Sequence, residues 1–262
     1  MSIGFIGAGN MATAIIKGYI GKATTDVVVY DIDSEKVNHL AELGAKRANN
    51  IAELAERVQY LFLAVKPQNF PEVVAELKGH VRTETVLVSI AAGITADYLK
   101  AALDFDVKVV LVMPNTPLLL GYGASALSKA EPTTDAEFDF VCNIFASSGV
   151  IAKIAPNQMN EVIPLNGSSP AFIYEYAKYF IEYGEQQGFS YGTALNLFAQ
   201  SLIGSAKMMT ESGYSLDELI QMVSSKGGTT IAGLDALRKH DLQRTVLDCC
   251  DQCAKRAYEL SK

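Results

Sequence analysis

The chain has 262 residues, 49% hydrophobic and 19% charged, which is enough apolar material for a sizeable core and sets one or two domains as the expectation. Its net charge of −7 argues against nucleic acid or an anionic membrane surface as a partner. No apolar run approaches the ~18 residues of a membrane helix, and no basic leader precedes the first strand, so a cytoplasmic location is expected.

A short apolar run, Ser2 to Ile6, enters the turn Gly7-Ala8-Gly9-Asn10-Met11-Ala12, and a helix is predicted over Met11 to Tyr19. In a Gly-x-Gly-x-x-Ala turn the first glycine permits the tight reversal and the second lets a pyrophosphate approach the backbone. The alanine keeps helix and strand close, and the N–H groups at the helix start face the phosphates. Val27 to Tyr30 reads as a second strand ending in Asp31, which lies 22 residues after Gly9. That is near the spacing of an acid that holds an adenosine ribose. The first half is therefore expected to bind a dinucleotide.

Further along, helices are predicted from Ser34 to near Gly44 and over Ile51–Arg57, Phe70–Leu77, Ala96–Leu103 and Asp135–Ser147. Strands are predicted over Ala45–Ala48, Tyr60–Val65, Thr85–Ile90, Val107–Met113, Ala124–Leu127 and Val150–Ile154. This alternation is the βαβ signature of a parallel sheet. Three strands stop at small or Pro-rich loops, Lys66-Pro67, Ala91-Ala92-Gly93 and Pro114-Asn115-Thr116-Pro117. Ligands of open parallel sheets sit at such carboxyl ends.

From Glu161 onward four or five helices and no strand are expected. Ala171 to Tyr183 is apolar nearly all round and needs burial on every side, which a domain of this size supplies poorly; a partner chain is expected. Ala194 to Met209 is a further helix, and Ser215-Leu216-Asp217-Glu218 is a capping box that starts another. Cys250 and Cys253 fall with Val246, Ala254 and Ala257 on one helical stripe, which favours packing over metal or redox chemistry. No metal site is expected.

The second informative turn is Ser224-Ser225-Lys226-Gly227-Gly228-Thr229-Thr230-Ile231. A helix starting at Thr229 or Thr230 would present the N–H groups of residues 228 to 230 and two hydroxyls, a setting for a carboxylate or for plain threonine capping. Asn166-Gly167-Ser168-Ser169-Pro170 is a similar small polar turn. His39, His80 and His240 stand in no catalytic setting. A neutral ketone normally needs an acid beside it, whereas an iminium carbon draws hydride by its own charge, so C=N reduction is favoured over ketone reduction.

These motifs together resemble the pyrroline-5-carboxylate reductase family over essentially the whole chain. The likeness rests on residues 4–12, Ala64-Val65-Lys66-Pro67, Val88-Ser89-Ile90-Ala91-Ala92-Gly93, Met113-Pro114-Asn115-Thr116-Pro117, Asn166 to Ala171 and Gly227-Gly228-Thr229-Thr230-Ile231. The resemblance implies an α/β fold, with an N-terminal Rossmann dinucleotide-binding domain (1–157) followed by an all-α dimerisation and substrate-binding domain (158–262). It implies NAD(P)H-dependent reduction of 1-pyrroline-5-carboxylate to L-proline by dimers or rings of dimers. The active site would lie between one chain's cofactor domain and the helical domains of the pair. Thr230 would donate a hydrogen bond to the ring nitrogen, and Gly228, Thr229, Thr230 and Ser225 would bind the substrate. Gly7, Gly9, Asn10, Met11, Asp31, Lys66, Pro67, Ala91, Ala92, Asn115 and Thr116 would bind the cofactor. Two residues depart from the family's pattern. Lys226 replaces a common proline before the double glycine. Tyr30-Asp31-Ile32-Asp33 stands where many members carry small polar and basic residues suited to the 2′-phosphate of NADPH. Asp31 accepts from a free 2′-hydroxyl and repels a phosphate, so NADH is the expected favourite.

Two other readings stay open from the residues alone. A β-hydroxyacid dehydrogenase would place a catalytic lysine on a helix of the second domain, with Lys178 and Lys207 as candidates. A nucleotide-sensing protein would keep the fold without the chemistry.

Overall fold

The computed structural model describes residues 2–20 and 26–260. Residues 1 and 262, the outer limits of the two expected domains, lie outside that range. The first half alternates β1 (Ser2–Ile6), α1 (Asn10–Tyr19), β2 (Asp26–Tyr30), α2 (Ser34–Glu42), β3 (Lys46–Arg47), α3 (Ile51–Arg57), β4 (Tyr60–Leu63), α4 (Phe70–Leu77), β5 (Val86–Ser89), α5 (Ala96–Leu103) and β6 (Lys108–Met113). Then come β7 (Gly123–Ala130), α6 (Asp135–Ala146) and β8 (Gly149–Lys153). The helices α7 (Ser169–Gln186), α8 (Tyr191–Glu211), α9 (Leu216–Met222), α10 (Thr229–Lys239) and α11 (Leu242–Leu260) complete the described chain.

The strands form one sheet in the order β3-β2-β1-β4-β5-β6-β7-β8. β1 to β6 pair in parallel, as the alternation predicts. β7 departs from a wholly parallel sheet: it runs antiparallel to β6. The reason is the connection. Between β6 and β7 the chain has only a 3₁₀ turn, Thr116–Leu120, and a parallel return needs a crossover of about a dozen residues or more. α6 supplies such a crossover, and β8 is parallel to β7.

Every residue of β4 and β5 is buried, as expected for strands covered on both faces. The period of two divides them between two cores. Phe5, Tyr60, Phe62, Val86 and Val88 meet α1 and α6 on one side, with Phe5 and Phe62 stacked at 4.5 Å. Leu61, Leu63 and Leu87 meet α3, α4 and α5 on the other.

The chain divides into two compact units, one running to Pro170 and including the segment from Gln252, the other Ala171–Asp251. This division falls later than the expected 157/158 boundary. Met159 and Ile163 join the core of the sheet's α3–α5 side, and so does Ala257 of α11, 4% exposed. Of the cysteine stripe, Cys250, Cys253 and Ala254 are half-buried and Val246 is exposed. All four cysteines are free thiols.

An ion pair ties β6 to α6. Lys108 Nζ meets Glu137 Oε1 at 2.6 Å, with side chains 20% and 14% exposed. Glu137 also accepts from the Thr134 N–H while Thr134 Oγ1 accepts from the Glu137 N–H, a capping box. Burial pushes the Glu137 carboxyl up, but the Lys108 and Thr134 hydrogen bonds outweigh it and hold it below the ordinary 4.5. A carboxyl depressed on folding stabilises fully above its unfolded pKa, and that contribution is lost as pH falls through the folded pKa. Glu137→Gln is therefore expected to cost about 1–3 kcal/mol near neutrality. The difference from wild type should shrink below pH about 4. Thermal melts of both proteins across pH check this; a gap that stays constant into acid contradicts it.

Candidate cofactor and substrate sites

The register sets Tyr30, Ile6, Leu63, Ser89 and Leu111 side by side across β2, β1, β4, β5 and β6. These strands are parallel, so the loops that follow leave one edge of the sheet. The sequence-predicted cofactor residues thus fall in a row: Asp31, then Gly7 to Met11, then Lys66-Pro67, then Ala91-Ala92, then Asn115-Thr116. At about 4.8 Å per strand the row spans roughly 19 Å. The chain leaves β1 in opposite directions toward β2 and β4, which makes this the topological switch point where such sheets bind nucleotides.

Gly7 turns the chain with φ of 100°, and a Cβ there would stand 2.5 Å from the Ala64 carbonyl oxygen. A Cβ on Gly9 would meet nothing within 4 Å; the space above it is open. Gly9 is the N-cap of α1, with no side-chain cap and no acid in the first turn, which begins with Asn10 and Met11. By contrast α2, α3, α5 and α6 are capped by Asp33, Asn50, Thr95 and Thr134. α4 also lacks a side-chain cap, but its first turn carries Pro71 and the acid Glu72; at α1 no acid stands before the first N–H groups and the positive dipole end. That arrangement fits a pyrophosphate.

Asp31 is held on both oxygens. The Ala8 N–H donates to Oδ2 at 2.6 Å and the Asp33 N–H donates to Oδ1 at 2.9 Å. The carboxylate is thereby fixed at the end of β2, against the glycine turn. Asp33 caps α2 and pairs with Lys36 at 3.0 Å. The Lys36 hydrogen bond holds the Asp33 carboxyl below its usual range, and Asp33 in turn raises Lys36. The cation nearest Asp31 in sequence is thus committed to a neighbouring acid.

Lys66 is exposed and leads into the 3₁₀ turn Pro67–Asn69. Ala91 and Ala92 are half-buried, and a Cβ on the following Gly93 would stand 3.2 Å from Leu260 of α11. Thr116 is exposed, while Asn115 is buried and its Oδ1 accepts the Ala124 N–H at 2.9 Å. Sequence reading singled out the turn at Asn166 but gave that residue no role of its own. Its Nδ2 donates to the carbonyls of Met113 at 2.7 Å and Ala124 at 3.0 Å. Asn115 and Asn166 therefore hold Ala124 from two sides. Only the small polar turn signalled this; the carbonyl partners are distant in sequence.

In the other unit α9 ends at Met222 and the chain turns through Gly227, where φ is 74°. α10 starts at Thr229 with Gly228 as N-cap, no side-chain cap and no acid in its first turn. The Gly228 N–H donates to the Ser225 carbonyl at 2.9 Å. The turn itself thus uses that donor, which leaves the N–H groups of Thr229 and Thr230 without intrahelical partners. A Cβ on Gly228 would crowd the Ser225 hydroxyl at 2.5 Å. Lys178 and Lys207 lie on exposed helix surface, Lys178 beside Glu182 and the Tyr179 ring. α7 exposes Tyr174, Tyr179 and Tyr183, and α8 exposes Leu197, Ile203 and Met209. Among the described residues no helix is long and apolar enough to cross a membrane, and no group of His, Cys, Asp or Glu is arranged to hold a metal ion.

A Rossmann-like sheet with an uncapped glycine turn at its switch point, followed by a helical unit, defines a nicotinamide-dependent oxidoreductase of the two-unit type. Residues 156–260 match the family described as "Pyrroline-5-carboxylate reductase dimerisation", and residues 2–93 match "NADP oxidoreductase coenzyme F420-dependent". The chain is 33% identical over 264 residues to pyrroline-5-carboxylate reductase of Escherichia coli (strain K12), covering 99% of this chain and 98% of that protein. It is 30% identical over 266 residues to that of Staphylococcus aureus (strain COL), covering 100% and 98%. Among solved structures it is similar to Plasmodium falciparum pyrroline carboxylate reductase with NADP bound, with a TM-score of 0.91, 26% identity and coverage of 100% and 98%. It is similar also to a pyrroline-5-carboxylate reductase from Coxiella burnetii, with a TM-score of 0.90, 30% identity and coverage of 99% and 98%. The chain belongs to the pyrroline-5-carboxylate reductase family.

Proposed function

We propose that this chain reduces the C=N bond of 1-pyrroline-5-carboxylate to L-proline, using a nicotinamide cofactor. The observation that carries the reading is the presence, in one chain of this family, of two glycine turns whose helices have no side-chain cap, at Gly9 and at Gly228. Each leaves backbone N–H groups for an anion, pyrophosphate at the first and carboxylate at the second.

The bound nicotinamide supplies hydride. The chain's own residues bind and orient. The Thr229 and Thr230 N–H groups and the Ser225 hydroxyl hold the substrate carboxylate, and Gly228 lets it approach the backbone. Thr230 Oγ1 is assigned to the ring nitrogen. A hydroxyl both donates and accepts, so it can serve the neutral imine or the protonated form. Protonated, the C=N carbon accepts hydride without a separate strong acid, and the nitrogen keeps its proton as it becomes a secondary amine. Cofactor absorbance tests the reading. The reduced cofactor should be consumed when 1-pyrroline-5-carboxylate is added and not when a 2-hydroxyacid and oxidised cofactor are supplied. Cofactor binding without consumption overturns it in favour of a sensor, and 2-hydroxyacid oxidation lost in Lys178→Ala or Lys207→Ala would favour the dehydrogenase reading.

We further assign NADH as the favoured cofactor, on the fixed Asp31 carboxylate and on the commitment of Lys36 to Asp33. kcat/KM should be higher with NADH than with NADPH. Asp31→Ser should narrow that ratio by about ten- to a hundredfold, the scale of removing one like-charge clash. It should also weaken NADH itself, because the Ala8 N–H loses its acceptor. A large wild-type preference for NADPH contradicts the assignment. A second copy of the chain is the proposed cover for the exposed faces of α7 and α8, in keeping with the match to a dimerisation family. Cytoplasmic location is proposed as well, supported by the four free thiols.

A further inference from the structure

The turn that leads into α10 is closed by one hydrogen bond, from the Gly228 N–H to the Ser225 carbonyl at 2.9 Å. Lys226 and Gly227 are its central residues. Gly227 has a φ of 74°, and Lys226 is not among the residues of positive φ. A negative φ followed by a positive one is the pattern of a type II turn, in which the first central position favours proline. Lysine at that position leaves the turn closed, so what it adds here is its charge.

That charge stands where a helix tolerates it least. α10 begins at Thr229 with neither a side-chain cap nor an acid in its first turn. α9, by contrast, starts with a Ser215 cap and with Asp217 and Glu218. The positive end of a helix repels a nearby cation and is normally balanced by an anion. Lys226 is exposed, and its ammonium has no ion pair or hydrogen bond among the described residues. Glu218 is taken up by Ser215 at the far end of α9, and Asp235 of α10 pairs with Arg238. Lys226 is three residues before Thr229, at most about 11 Å of backbone, and its four-carbon stem is flexible. The ammonium and the helix start therefore lie within about one screening length of each other at ~0.1 M salt.

We propose that Lys226 is an electrostatic determinant of substrate affinity: its ammonium draws the carboxylate of the cyclic imine onto the Thr229 and Thr230 N–H groups, and without ligand it destabilises the start of α10. The proposal rests on the carboxylate reading of this turn given above. The carboxylate keeps its charge throughout C=N reduction, so the effect falls on binding and not on hydride transfer.

Steady-state kinetics with 1-pyrroline-5-carboxylate at saturating reduced cofactor test it, from about 20 mM to about 300 mM NaCl, on wild type, Lys226→Gln, Lys226→Arg and Lys226→Pro. At low salt Lys226→Gln should raise KM about two- to fivefold, the range of an exposed charge pair, with kcat within about twofold of wild type. High salt should close that gap, and arginine should restore the low KM. Lys226→Pro suits the turn but removes the charge. Its KM should match that of the glutamine variant, while its melting temperature without ligand should exceed that of wild type. A wild-type KM in Lys226→Gln or Lys226→Pro overturns the proposal and leaves the reductase reading in place. So does a raised KM that salt does not narrow or arginine does not restore, since turn shape and not charge would then be at work. No consumption of cofactor by wild type would defeat the reductase reading itself, and the proposal with it.

Discussion

Thr230→Ala is expected to lower kcat for 1-pyrroline-5-carboxylate by about a hundredfold, on the scale of removing one positioned hydrogen-bonding group from a reacting centre. The residue occupies the second position of α10, whose N-cap is Gly228. Alanine is the better helix former, so the variant should melt at or above the wild-type temperature. Loss of rate then cannot be ascribed to loss of fold. The proposed carboxylate cradle, the Thr229 and Thr230 N–H groups with the Ser225 hydroxyl, survives the change, so KM should move much less than kcat. Thr230→Ser keeps the hydroxyl and should stay within about tenfold of wild type, given only its freer rotamer. Steady-state kinetics of the two variants decide the matter. A fully active alanine variant would remove Thr230 from the chemistry.

The second large effect separates two glycines of the same turn. Gly7→Ala places a methyl group 2.5 Å from the Ala64 carbonyl oxygen at φ of 100°. Neither the steric conflict nor the backbone angle can relax alone, because β1 and β4 are neighbours in the sheet. The expected cost is about 2–4 kcal/mol, with cofactor binding lost as the turn opens. Gly9→Ala meets nothing within 4 Å and sits at an extended φ of −73°. It should leave the melting temperature unchanged and weaken the cofactor by at least about tenfold, because the new methyl group fills the open space proposed for the pyrophosphate. Melting curves and cofactor titrations of both variants check this. Equal melting temperatures for the two, or undisturbed binding in Gly9→Ala, would contradict the division of roles.

What could be read in advance follows physical range. β4 and β5 are continuous apolar runs between turn residues, so local pattern alone marks them as buried strands. The Gly7–Met11 turn before α1 and the place of Asp31 at the end of β2 were legible because a glycine turn after the first strand and an acid after the second keep a set spacing along the chain. The antiparallel course of β7 was not legible, since it depends on how little chain joins it to β6. Nor were the two N–H donors on Asp31, or the carbonyls on Asn166: these partners meet only through the sheet. In the helical unit the start of α10 was readable from its double glycine, but the use of the Gly228 N–H by Ser225 was not. Ala257 looks like any small helical residue until it is seen in the core beneath the sheet, far from it in sequence but in the same unit.

That last residue has a consequence for how the gene can be cut. A polypeptide ending at residue 157 carries the proposed cofactor residues from Gly7 to Thr116, yet it lacks Met159, Ile163 and Ala257, all members of the core beneath the sheet. It also lacks Asn166, which holds the end of β6. The nucleotide-binding half is therefore not a cassette that can be lifted out and joined to another catalytic partner. A working graft has to carry the segment through Pro170 and supply the turns of α11 from Gln252 onward, so that two separate pieces of chain travel together.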